Sequence, residues 1–178
     1  ELQAFTKCRF VSGDINLFNN FFTNYIQTVK QKDKELIKRE MLEMRKKLYP
    51  INDTSFNIKK NSGGLADMDF MVSYLFLTNP DLLVEQRDNK SADCFELFKQ
   101  FSLKEINFDR LKRNFDSLKL IELTNQLVFN SRLSKIPTEE INLKKLSSEC
   151  GFLNIKQFWE NLNEIIEQTR KYYQDIFN

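Results

Sequence analysis

The residues of this chain whose types and spacing could do chemistry lie in one run, Lys59-Lys60-Asn61-Ser62-Gly63-Gly64-Leu65-Ala66-Asp67-Met68-Asp69-Phe70. Two of the four glycines stand here side by side, at the mouth of an apolar helix with aspartates in its first turns. Backbone N–H groups at a helix N-terminus favour an anion through the helix dipole, and Lys59 and Lys60 add positive charge suited to a phosphate. Asp67 and Asp69 already complement that dipole and would repel a bare phosphate. They fit better with a divalent ion bridging carboxylate and phosphate, since hard oxygen ligands suit Mg²⁺. Spacing alone favours a plainer reading, a tight turn that needs glycine backbone followed by ordinary capping.

Other charged residues pose a question of partners. Asp69 shares a helical phase with Leu65, Val72 and Phe76, and Glu122 with Phe115, Leu118 and Phe129, so both are expected to be partly buried. A buried carboxylate needs a partner, and the reading favours structural ion pairs, with Arg9, Arg45 and Arg113 as candidates. Lys38, Arg39, Arg45, Lys46 and Lys47 alternate with Glu35, Glu40 and Glu43. Mixed signs describe a solvated helix face, not a nucleic-acid patch. Trp159 is read as packing beside Phe158.

Composition narrows the classes. The 178 residues fit a single helical domain, 1–178, with 17 Phe for its core and only four Gly and three Pro, too few for a loop-rich or all-β fold. With 27 basic and 25 acidic residues the net charge is +2, so no global field recruits nucleic acid. The absence of histidine removes His-based triads, zincin motifs and most transition-metal sites. Cys8, Cys94 and Cys150, odd in number and far apart, look like reduced thiols. No apolar run reaches the length of a membrane span and no signal-peptide pattern opens the chain. A cytoplasmic protein is expected, and the missing initial Met suggests a fragment.

The apolar period is helical nearly throughout, and the expected fold is an all-α bundle of about six or seven helices. Ile37, Met41, Met44 and Leu48 mark a helix capped by Asp33 and ended by Pro50, followed by a polar connection over 51–62. Leu65, Met68, Val72 and Leu75 line one face of the next, which stops before Asn79-Pro80. A shorter piece within 81–102 buries Phe95, Phe98 and Phe101. Ser102-Leu103-Lys104-Glu105 reads as a capping box for a long helix carrying Leu111, Phe115 and Leu118 to about Ser131. Pro137-Thr138 opens a helix through Leu143 and Leu146 to about Cys150, with Gly151 after its end. Asn154 and Gln157 cap the last, whose stripe is Phe158, Leu162, Ile165, Thr169, Tyr172 and Ile176.

Four segments in order resemble one family. Lys59-x₃-Gly63-Gly64-x₂-Asp67-x-Asp69-Phe70 is similar to the K-x₃-G-G-[IL]-x-D-[IL]-E-F signature of glutamine synthetase adenylyltransferases. That signature lies in the helical domain following each of their two nucleotidyltransferase domains. Glu1 to Gly13, with Ala4, Lys7 and Arg9, resembles the segment leaving the catalytic domain. Glu43-Met44-Arg45 matches the E-M-R before the polar connection, and Leu146 to Phe177 resembles the closing helix pair. Two positions depart from the pattern: Asp69 stands where the family has Glu, and Ser73 where it has Gln. Asp67 is closer to the adenylylating half, while Glu122, Gln126 and Pro137 resemble spacings of the other half, which leaves that choice open.

The resemblance implies an accessory domain packed beside its own nucleotidyltransferase domain, in an enzyme that uses ATP and Mg²⁺. The parent reaction would transfer AMP to a tyrosine of glutamine synthetase, or remove it, under a PII-type signalling protein. Lys59, Gly63, Gly64, Asp67, Asp69, Lys7 and Arg9 would support the nucleotide or the active site, and Asp67 and Asp69 could hold metal. The family's G-S-x…D-x-D motif is missing from these residues, so the chain alone should not transfer nucleotides. A degenerate, non-catalytic copy that only binds glutamine synthetase or the signalling protein is the alternative.

Overall fold

The computed structural model describes residues 2–49, 55–88, 93–99, 106–132 and 134–178. Among them the chain is all-α, as the period predicts. Its helices are α1 (Leu2–Phe5), α2 (Ile15–Lys30), α3 (Lys34–Leu48), α4 (Leu65–Thr78), α5 (Asp81–Asp88), α6 (Cys94–Phe98), α7 (Phe108–Val128), α8 (Glu140–Glu149) and α9 (Ile155–Phe177). Two of these, α1 and α6, are single turns of four and five residues, so the longer helices match the expected number.

Local chemistry sets the boundaries. Asp33 caps α3 by accepting from the Glu35 N–H, and Asn154 caps α9 by accepting from Gln157 N–H. Gly151 follows α8 at φ +84°, as expected of the residue after a helix end. The α7 cap is Asn107, which accepts from Arg110 N–H at 2.9 Å. The Ser102–Glu105 capping box, Phe101 and Pro50 lie outside the described residues. No helix is expected at 15–30 from the sequence, yet α2 forms there, capped by the Asp14 carboxylate. Its buried set, Phe22, Tyr25, Ile26 and Val29, follows i, i+3, i+4, i+7, with exposed Leu17 and Phe21 beside that stripe.

The bundle is built around α4. This helix packs against α1, α3, α5, α7 and α9 and buries Leu65, Met68, Phe70, Met71, Leu75, Phe76 and Leu77. It is therefore covered around its circumference and not along one stripe, and a helix apolar on all sides belongs in the interior. The α9 stripe is as read: Phe158, Leu162, Ile165 and Thr169 are buried, while Tyr172 and Ile176 pack half-buried against the core. Trp159 stacks edge-on against Phe158 at 5.6 Å.

Candidate functional site

The signature turn is held from three directions. Behind it, Ile58 N–H donates to Ser134 O and Ile136 N–H donates to Phe56 O, both at 2.8 Å. This short antiparallel pairing ties the turn to the chain beyond α7. Within it, the Asn57 carboxamide oxygen accepts from the amides of Lys59 and Lys60, and that of Asn61 accepts from Asn57 N–H. From α9, Arg170 Nε donates to Ser62 O at 3.2 Å. Sequence reading passed over Asn57 and Asn61; two asparagines four apart in a polar connection were the available signal.

Gly63 and Gly64 are buried, and each has its own reason to lack a side chain. Gly63 sits at φ +79°, and a Cβ there would collide with the Ile166 carbonyl of α9. A Cβ on Gly64 would collide with the carbonyl of Ile58, one strand of the turn away. The pair thus serves close approach of backbone to backbone inside the protein.

Asp67 and Asp69 have opposite environments. Asp67 is buried and meets Arg45 Nε at 2.5 Å, with both side chains 1% exposed. Its second oxygen accepts from Gly63 N–H, and the Tyr49 hydroxyl stands 3.5 Å from the first. Arg45 also donates from Nη2 to Lys60 O and Asn61 O and lies 3.9 Å above the Tyr49 ring. Burial, then the Asp67 charge, pushes the Tyr49 and Tyr173 phenols up, and Tyr49 stays protonated as a donor to this carboxylate. Arg45, read both in a solvated mixed-charge face and as a candidate partner for a buried carboxylate, is the largest fully buried side chain among the described residues. It follows Ile37 and Met41 at i+4 and i+8, so it lies in the apolar stripe itself.

Asp69 is partly buried, as expected, with its side chain 43% exposed, and it pairs with Lys7 at 2.7 Å and not with one of the candidate arginines. Next to it, Ser73 is buried and lies 3.3 Å from the Thr6 hydroxyl. Both departures from the family pattern therefore face the N-terminal segment. Tyr25 OH adds a bond to Leu2 O at 2.9 Å, fastening α1 between α2 and α4. Arg9 is exposed in the following loop.

Glu122 is buried, as expected, with partners other than the arginines proposed for it: Lys119 Nζ at 2.8 Å and Ser134 Oγ at 2.6 Å. Burial raises its pKa, but the bonds from Lys119 and Ser134 and the charges of Lys119 and Lys59 outweigh that and hold it below the ordinary value. Lys59 and Lys60 remain exposed.

These residues do not fit a metal ion or a nucleotide phosphate within the chain. Asp67 has both oxygens engaged by Arg45 and Gly63, and Asp69 is turned to Lys7. The amides opening α4 are also occupied: Gly64 N–H donates to Asn61 O, Leu65 N–H to Ile58 O and Ala66 N–H to Lys59 O. These three amides are therefore turned into the protein and not toward an anion. Among the described residues no group of three acidic or cysteine side chains is arranged to hold a metal, and no helix is long and apolar enough to cross a membrane.

Against known proteins, a family model described as GlnD PII-uridylyltransferase matches residues 29–177. The chain belongs to this family. Its curated relatives carry the name read from the four segments, bifunctional glutamine synthetase adenylyltransferase/adenylyl-removing enzyme. That of Leifsonia xyli subsp. xyli is 27% identical over 99% of this chain and 18% of its own length. That of Nitrosomonas eutropha is 38% identical over 43% of the chain and 9% of its length. That of Shewanella frigidimarina is 33% identical over 44% and 9%. The chain thus spans less than a fifth of these relatives, as a helical domain of the GlnD PII-uridylyltransferase type.

Proposed function

We propose that this chain is the helical accessory domain of a longer enzyme that moves AMP between ATP and a tyrosine of glutamine synthetase. The observation that carries the reading is the match to adenylyltransferases across nearly the whole chain. ATP and Mg²⁺ would be held by a nucleotidyltransferase domain of the same protein, because the signature residues here are engaged with one another. A PII-type protein would be the regulator and glutamine synthetase the substrate, in the cytoplasm.

The role of the signature in that reading is positional. Arg45, Asp67 and the two glycines lock the turn to α3 and α9. With α4 fixed, Asp69 and Ser73 hold Lys7 and Thr6, on the segment that would lead out of the catalytic domain. Transfer of a nucleotidyl group depends on alignment, so a rigid α4 would fix how the catalytic domain sits on its accessory. Lys59 and Lys60, exposed beside the turn, would be the cations able to face a phosphate held by the neighbour.

The test is Asp69→Ala in the full-length protein. An exposed ion pair contributes at most about 1 kcal/mol, so the fold should persist. AMP transfer to glutamine synthetase should fall on the order of tenfold or more. Unchanged turnover would remove the positional role.

A further inference from the structure

The first 28 residues differ from the rest in two independent ways. They lie outside the matched family domain, which begins at residue 29, although two adenylyltransferase alignments cover 99% of the chain. They also hold six of the thirteen large apolar side chains that are exposed among the described residues: Phe5, Phe10, Val11, Ile15, Leu17 and Phe21. Val11 and Leu17 are 79% and 69% exposed.

Three of these side chains, Phe5, Phe10 and Phe21, are joined through Phe18, with Val11, Ile15 and Leu17 exposed on the same stretch of chain. Phe5 meets Phe21 edge-on at 5.3 Å, Phe10 meets Phe18 at 5.6 Å, and Phe18 meets Phe21 at 6.5 Å. The rings link α1, the loop over 9–13 and the first half of α2 into a continuous apolar face. Its base is fixed, since Lys7, Thr6 and Tyr25 bind α1 to the bundle. Contiguous exposed apolar patches of this kind mark interaction sites, and rigid aromatic side chains make good anchors at little entropic cost.

We infer that the face of residues 5–21 is the seat of the domain preceding this one in the same polypeptide, which meets it with an apolar surface. The inference rests on the reading of a longer adenylyltransferase and adds the place where its domains join. The relatives that align through these residues are more than five times the length of the match, so most of their chain lies elsewhere. The segment before residue 29 aligns with them although it falls outside the matched family domain. An apolar junction also suits a contact that must hold α1 in one orientation, where interfaces between domains of a chain bury about 600–1,500 Å².

Hydrogen exchange of the full-length protein tests this. Residues 9–13 lie outside any helix and are exposed in this chain, so uncovered amides there exchange near free-peptide rates. The expected result is protection of 9–13 by at least about tenfold, lost in Val11→Asp/Leu17→Asp with the far-UV circular dichroism unchanged. Free-peptide rates in the wild type overturn the inference, whatever the variant does. Protection that disappears on dilution, together with a dimer seen by sedimentation, also overturns it and assigns the face to a second copy. Protection without AMP transfer supports the junction and removes only the catalytic reading.

Discussion

Replacing Asp67 with Asn removes one charge and almost no volume. In the native protein the Asp67 carboxylate and the Arg45 guanidinium are equally inaccessible to water, at 1% exposure each. The variant leaves Arg45 buried among Tyr49, Lys60 O and Asn61 O without a counter-ion. Breaking a buried pair from one side costs about 3–5 kcal/mol, a large share of the roughly 5–15 kcal/mol that holds a domain together. In urea, with a slope near 2 kcal/mol/M, the midpoint followed by circular dichroism should fall by about 2 M. Arg45→Met/Asp67→Leu, which removes both charges, should cost less than the two single changes added together. A single-variant loss under about 1 kcal/mol, or strict additivity, would refute the assignment of this pair as the lock of the signature turn. The same reasoning fixes the functional consequence: activity lost in Asp67→Asn should track the unfolded fraction, with turnover per folded molecule unchanged.

Two further outcomes follow from the geometry. Gly64→Ala and Gly63→Ala should each destabilise by more than about 1–3 kcal/mol, read as a fall in thermal midpoint, because the new methyl meets a main-chain carbonyl in both cases. For Glu122 the folded pKa lies below its unfolded value of 4.5. Its contribution is therefore present above that value and is lost as pH falls through the folded pKa. Glu122→Gln should flatten the loss of stability on acidification below about pH 4.5, and an unchanged pH profile would remove Glu122 from the account.

Most of the fold was legible because α3, α7 and α9 each carry one apolar stripe. The caps of α3 and α9 were read correctly, while α7 starts later than expected and is capped by Asn107. The reading of α4 as one-faced failed for a physical reason. A helix buried on all sides has no phase that separates a core position from a surface one, so the burial of Asp67, off the expected stripe, was not read from spacing. Arg45 was named as a candidate ion-pair partner, but its place in the stripe with Ile37 and Met41 was passed over because its type suggests solvent. Its true partner lies 22 positions away, and no local pattern encodes that. The glycine pair was correctly singled out, but spacing could not tell whether its open backbone faced a ligand or the carbonyls of Ile58 and Ile166. The stripe of α2, Phe22, Tyr25, Ile26 and Val29, was present in the sequence and was passed over.

The central claim is that this domain supports AMP transfer which it does not perform itself. The direct measurement follows label from α-labelled ATP onto glutamine synthetase, with the full-length protein and with the 178-residue chain side by side. The account predicts label on a tyrosine with the full-length protein and none with the chain alone. Label transferred by the chain alone, or none by the full-length protein, would contradict it.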